Sequence, residues 1–136
     1  NIIILYNIIV MSVILQKIIC SSILLIMVDS IYLKMIYNIF NDMIKNIQGT
    51  RIFARTTAAI FCYAFLILGL NYFILIPEKS VLDASILGFI IYGVFETTNL
   101  FIFKKWEILP SLIDTFWGSI LFGLTTYFTY TIVGFK

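Results

Sequence analysis

Three carboxylic acids stand inside long apolar stretches of this 136-residue chain: Asp29, Glu96 and Asp114. Placing an ionised side chain at the centre of a membrane helix costs about 2.5–3.5 kcal/mol on insertion scales, so such residues mark a job to be done. Other polar groups keep them company. Thr97, Thr98 and Asn99 follow Glu96, and Trp117 and Gly118 follow Asp114. Asn99 shares a helical face with Glu96, three residues on. Two kinds of chemistry suit this set. The acids can line a polar cavity and accept a proton, ligate a cation or bind a headgroup, with Lys34, Lys104 and Lys105 at hand for a phosphate or carboxylate. Alternatively they lock helix ends, by pairing with those lysines or with the Trp indoles. Spacing alone leaves both readings open.

Other chemistry is disfavoured. The chain has no His, which removes the commonest general base and transition-metal ligand. Cys20 and Cys62 both lie in apolar stretches far apart in sequence, and read as small hydrophobes rather than a disulfide or metal pair. No Gly-rich phosphate loop or nucleophile–base pair is visible. No cofactor and no metal is expected, and an enzyme is less expected than a non-catalytic protein. A net charge of +2 without a basic stripe gives no footprint for nucleic acid.

The elements that carry these residues follow from composition. Hydrophobic residues make up 62% of the chain and charged residues 12%. A soluble domain carries roughly twice that share of charge. Four apolar stretches, at 13–33, 53–76, 81–103 and 111–135, are each long enough to cross about 30 Å of hydrocarbon as a helix. Lipid offers the backbone no partners, so helix is the expected state; a barrel would need alternation that is absent. The expected fold is all-α: a single domain of four transmembrane helices. Between the first two lies a segment, 34–48, with Met35, Ile36, Ile39, Phe40, Met43, Ile44 and Ile47 on one face and Lys34, Asn38, Asn41, Asp42, Lys45 and Asn46 on the other. It reads as an amphipathic interfacial helix ended by Gly49. The alternative is an extension of the first span packed on a neighbour. Two pairs of small residues, Ala84 with Gly88 and Ser119 with Gly123, are spaced for close helix approach. Met11 offers a start, which leaves residues 1–10 either as an upstream extension or as the continuation of a segment that precedes them; a cleaved signal peptide is not expected.

Charge orients the bundle. Lys34, Lys45, Arg51, Arg55, Lys104 and Lys105 flank the first and third connections, against Lys17, Lys79 and Lys136 on the other side. The positive-inside rule puts connections one and three inside. All three acids then lie at similar depth near the inner face.

The segment from Tyr92 to Leu100, Tyr-Gly-Val-Phe-Glu-Thr-Thr-Asn-Leu, resembles the third-span signature of the DUF2177 family of predicted four-span membrane proteins. Trp106 and the run Asp114-Thr-Phe-Trp117-Gly118 resemble that family's Trp-containing loop and its D-x-x-W-G opening of the fourth span. Asp29, Tyr32 and Leu33 match an Asp near the end of the first span. Glu96 replaces the usual Asp and Phe95 an often-found Tyr, changes that retain an acid. The resemblance runs from about Met11 onward. It implies a fold and a polar cluster, Asp29, Glu96, Asn99, Asp114 and Trp117, but no reaction.

Function is expected on these grounds to be that of a structural or scaffold component of a membrane. Its partners would be the lipid bilayer, a neighbouring membrane or capsid protein, or a second copy of the chain. The Ile- and Asn-rich usage is that of an AT-rich genome, which brings in the internal membrane of a large DNA virus particle. The alternative is a small carrier or a lipid- or small-molecule-binding protein that uses the acids.

Overall fold

No glycine or proline interrupts the chain before Gly49, and the backbone forms one unbroken helix, α1 (Ile2–Gln48). The computed structural model describes residues 2–134. After a short connection come α2 (Thr56–Leu70), prolonged by a single π-turn over Asn71–Leu75, then α3 (Val81–Ile102) and α4 (Ile108–Val133). Pro77 follows the π-turn and stops the second helix. Ser80 starts the third: its hydroxyl accepts from the Asp83 N–H at 3.1 Å and the Asp83 carboxylate accepts from the Ser80 N–H at 3.1 Å. All four helices are long and apolar enough to cross a membrane. Their outward faces are rich in exposed Ile, Leu and Phe, as a lipid-facing surface requires.

The segment 34–48 is helical, as its periodicity indicates, but it is the last third of α1 and not a separate element. The reason is local: nothing between Leu33 and Gln48 breaks a helix, and Gly49, at φ 80°, is the first residue that does. At 1.5 Å per residue α1 is roughly 70 Å long, more than twice the hydrocarbon thickness. Its tail is tied to the connection between α3 and α4. Met43 is buried and its sulfur accepts from the Glu107 N–H at 3.2 Å. Lys105 Nζ donates to the Asn46 carbonyl at 3.0 Å, and Phe40 meets the Trp106 ring edge-on. α4 starts three residues before the expected Ser111. Phe135, the expected end of that span, and Lys136 lie outside the described residues.

α3 and α4 make the most intimate contact. A Cβ on Gly88 would run into the Gly118 carbonyl, one on Gly118 into the Tyr92 ring, and one on Gly123 into the Ser85 hydroxyl. The close approach is therefore made at Gly88 on α3 and at Gly118 and Gly123 on α4. α1 packs antiparallel on α4, and α2 lies against α1. Leu25, Leu70, Leu75, Leu121 and Phe122 are fully buried at the middle of the bundle.

Far from the 103–107 connection, Lys17 is buried at 3% exposure and pairs with Glu78 at 2.7 Å, while also donating to the Leu75 carbonyl. Removing one partner of a buried pair costs about 3–5 kcal/mol because the other charge is stranded. Lys17 is the more deeply buried partner, and Glu78 is a quarter exposed. Glu78→Gln is therefore expected to lower the melting temperature of detergent-solubilised protein by more than Lys17→Met, which leaves its partner near water. Equal shifts would mean that the difference in burial does not decide which partner is costlier to strand.

Candidate functional site

The site is built by the antiparallel register of α1 and α4. Tyr32 on α1 reaches Asp114 on α4, its hydroxyl donating to Oδ1 at 2.9 Å. One turn away, Trp117 on α4 reaches back and donates its indole N–H to Asp29 Oδ1 at 2.9 Å. The rings of Tyr32 and Trp117 stack at 4.2 Å, only 8° from parallel. α2 adds Tyr63, whose hydroxyl donates to Asp29 Oδ2 at 2.7 Å. α3 adds Glu96, whose Oε2 accepts from the Trp106 indole at 2.7 Å. All four helices and the α3–α4 connection thus meet through carboxyls and aromatic donors.

The acids differ in how fully they are occupied. Asp29 has one donor on each oxygen, the arrangement of a helix lock. Asp114 and Glu96 each receive one aromatic donor. Glu96 is 1% exposed, yet its Oε1 is buried without a partner, and so is the Asn99 amide nitrogen one turn along. Glu96 and Asp114 are close enough to act on each other electrostatically, and Tyr32 feels Asp114 most, then Asp29, then Glu96.

The candidate basic contacts are not brought to this cluster. Lys34 and Lys104 are exposed, and Lys105 spends its ammonium on the Asn46 carbonyl. Among the described residues the only ion pair is Lys17–Glu78, at the opposite end of the bundle. The three acids are therefore held by neutral donors alone. The indoles, which the sequence offered as partners beside the lysines, take the role: Trp117 on Asp29 and Trp106 on Glu96.

Beside the cluster, α2 and α3 diverge and leave a cavity of about 330 Å³. Ala59, Cys62, Tyr63 and Leu66 of α2 and Ile91, Tyr92 and Phe95 of α3 line it, together with Asp29 and Leu33 of α1 and Asp114 of α4. Ala59, Cys62 and Phe95 are exposed, so the mouth opens sideways onto the apolar surface. That volume falls at the small end of ligand sites, about 300–1,000 Å³. Its walls are almost wholly apolar and aromatic, and Asp29 and Asp114 are among the residues that line it.

Tyr63 and Cys62 carry no mark in sequence beyond standing in an otherwise apolar span. A hydroxyl in mid-span needs a partner, and that was the available signal.

A family model described as "Predicted membrane protein (DUF2177)" matches residues 13–131. The matched stretch takes in every residue of the cluster and the cavity. No curated protein and no solved structure matches the chain.

Proposed function

The chain belongs to the DUF2177 family of predicted membrane proteins, and from that premise we propose that it binds, within the bilayer, the positively charged head of an amphiphile that enters sideways between α2 and α3. The observation that supports this reading is a charge imbalance beside a lipid-facing opening. Three buried carboxyls have no cation among the described residues, and two of them line a cavity open to the apolar surface. Two carboxylates in mutual reach, away from water, repel strongly unless a proton or another cation stands between them. An ammonium head entering the cavity would supply that charge.

The donor set favours an organic cation. Among the described residues no three of His, Cys, Asp and Glu converge as metal ligands. Aromatic faces are plentiful instead: Tyr63, Tyr92 and Phe95 line the approach to Asp114. Such faces attract ammonium groups by about 0.5–2 kcal/mol each. The hydrocarbon tail would stay against Leu33, Leu66 and Ile91 and in the surrounding lipid. In this division Asp29 holds the helices and Asp114, backed by Glu96, holds the ligand. A scaffold role becomes secondary under this reading, and the virion setting rests on amino-acid usage alone.

The test is native mass spectrometry of gently extracted protein given a long-chain primary alkylamine or the alcohol of equal length. The amine is expected to be retained at one per chain by the wild type and lost from Asp114→Asn, with no retention of the alcohol. Equal retention of both probes, or amine retention that survives Asp114→Asn, would sink the reading. A stoichiometric protein partner with no bound amine would return the scaffold role to first place.

A further inference from the structure

The other half of the bundle interior is also polar, and no part of the acid cluster explains it. The register that sets Tyr32 against Asp114 and Asp29 against Trp117 continues along the two antiparallel helices. Continued at the same spacing of four residues per step, it sets Leu25 opposite Leu121, Ser21 opposite Thr125 and Lys17 opposite Thr129. The Lys17 ammonium, 5.7 Å from the centre of the Tyr130 ring, bears this out. From α2, the Asn71 amide donates to Ser21 Oγ at 2.9 Å and to the Ile67 carbonyl at 2.9 Å. Asn71 begins the π-turn, a local widening of the helix found often at functional sites.

Three oxygens in this region lack partners. Asn71 Oδ1, Thr125 Oγ1 and Thr126 Oγ1 are buried and accept or donate no hydrogen bond among the described residues. Their side chains are 4%, 0% and 0% exposed. A mid-helix Thr ordinarily returns its hydroxyl to the carbonyl four residues back, as Thr129 does to Thr125 at 2.7 Å. Thr125 and Thr126 do not. A buried hydroxyl or amide left dry is costly, so each of these oxygens calls for a small partner that can donate or accept. Water has that chemistry and the right size.

Between this polar region and the acids stands one apolar layer: Leu25, Leu70, Leu121 and Phe122, each fully buried. Ser21 and Asp29 are about 12 Å apart along α1, with Leu25 midway. We propose that Asn71, Thr125 and Thr126 hold bound water, and that this site and the Glu96–Asp114 pair are the two halves of a proton route interrupted by the Leu25–Leu70–Leu121–Phe122 layer. The proposal shares Asp114 with the amphiphile reading but needs no amphiphile, so amine retention and proton movement fail independently.

Two measurements decide it. In proteoliposomes carrying an imposed pH gradient, Leu121→Asn should make the gradient decay at least ten times faster than the wild type, and adding Asp114→Asn should restore the slow decay. An unchanged rate in Leu121→Asn, or a fast rate that survives Asp114→Asn, overturns the route. The paired variant Thr125→Val with Thr126→Val, close in shape, reads the water site directly. A watered site loses hydrogen bonds, and the melting temperature falls; a dry one sheds two stranded hydroxyls, and it rises. A rise overturns the proposal, and this arm stands even where Leu121→Asn fails to insert.

Discussion

Gly88→Val is expected to leave essentially no folded protein. A Cβ at residue 88 would overlap the Gly118 carbonyl oxygen and carbon and press on Phe122 Cβ. Two of those atoms are backbone, which cannot swing aside as a side-chain tip can. Ordinary overpacking costs about 1–3 kcal/mol, and forcing two helix backbones apart exceeds it. The consequence reaches the site, because α3 carries Tyr92 and Glu96 and α4 carries Asp114 and Trp117. Separating them pulls Glu96 from Asp114 and opens the cavity floor. Two controls come from the same helices: Gly93→Ala meets only Thr115 Cγ2 at 3.4 Å, and Gly69→Ala meets nothing within 4 Å. Both are expected to fold, and the second to gain slightly from the better helix former. Size-exclusion profiles of detergent extracts decide this. A monodisperse peak for Gly88→Val would show that the α3–α4 approach is not the fold's keystone contact.

The second large effect is a separation of roles between two acids one turn from each other's partners. Asp29→Asn is expected to lower stability and leave binding largely intact once folded. An amide in that position accepts on one side only. It sets an NH2 against either the Tyr63 hydroxyl or the Trp117 indole, which both donate now. Losing a hydrogen bond to a charged group costs about 1.5–3 kcal/mol, which appears as a fall of several degrees in melting temperature. Asp114→Asn is expected to behave in the opposite way. It can keep the bond from Tyr32 through its remaining oxygen, so the fold changes little. Its loss as a charge partner should weaken amine binding by about 2–5 kcal/mol, roughly 30-fold or more. Thermal shift and amine titration on the same samples give both readouts. Equal losses of stability in the two variants, with equal binding, would mean that Asp29 and Asp114 are both locks.

Much of this arrangement was legible in the sequence, for identifiable reasons. Apolar runs of membrane length forced four helices, since only helices satisfy the backbone in lipid. Asp29, Glu96 and Asp114 stood out because charge is rare there, and their motifs placed Trp106 and Trp117 beside them. What the sequence withheld was partnership across helices. Helical spacing shows that Asn99 shares a face with Glu96, but not that Tyr63, from another span, reaches Asp29. Lys34, Lys104 and Lys105 looked well placed by depth, yet depth says nothing of rotation about the axis. Lys17 read as an end charge and proved to be buried with Glu78. The amphipathic pattern over 34–48 marked a face without showing whether the segment is a separate helix, and it is an unbroken continuation of α1.

The most direct test uses a native thiol. Cys62 lines the cavity mouth, while Cys20 lies half-buried near the opposite end of the bundle. In proteoliposomes, the rate at which a membrane-permeant maleimide alkylates each cysteine is measured with a long-chain alkylamine, with the matching alcohol, and with neither. Binding at Asp114 predicts that the amine slows Cys62 alkylation at least tenfold, that the alcohol does not, and that Cys20 reacts alike throughout. The protection should vanish in Asp114→Asn. Cys62 alkylation that ignores the amine, or protection that persists without the Asp114 carboxylate, would contradict a cation-binding site between α2 and α3.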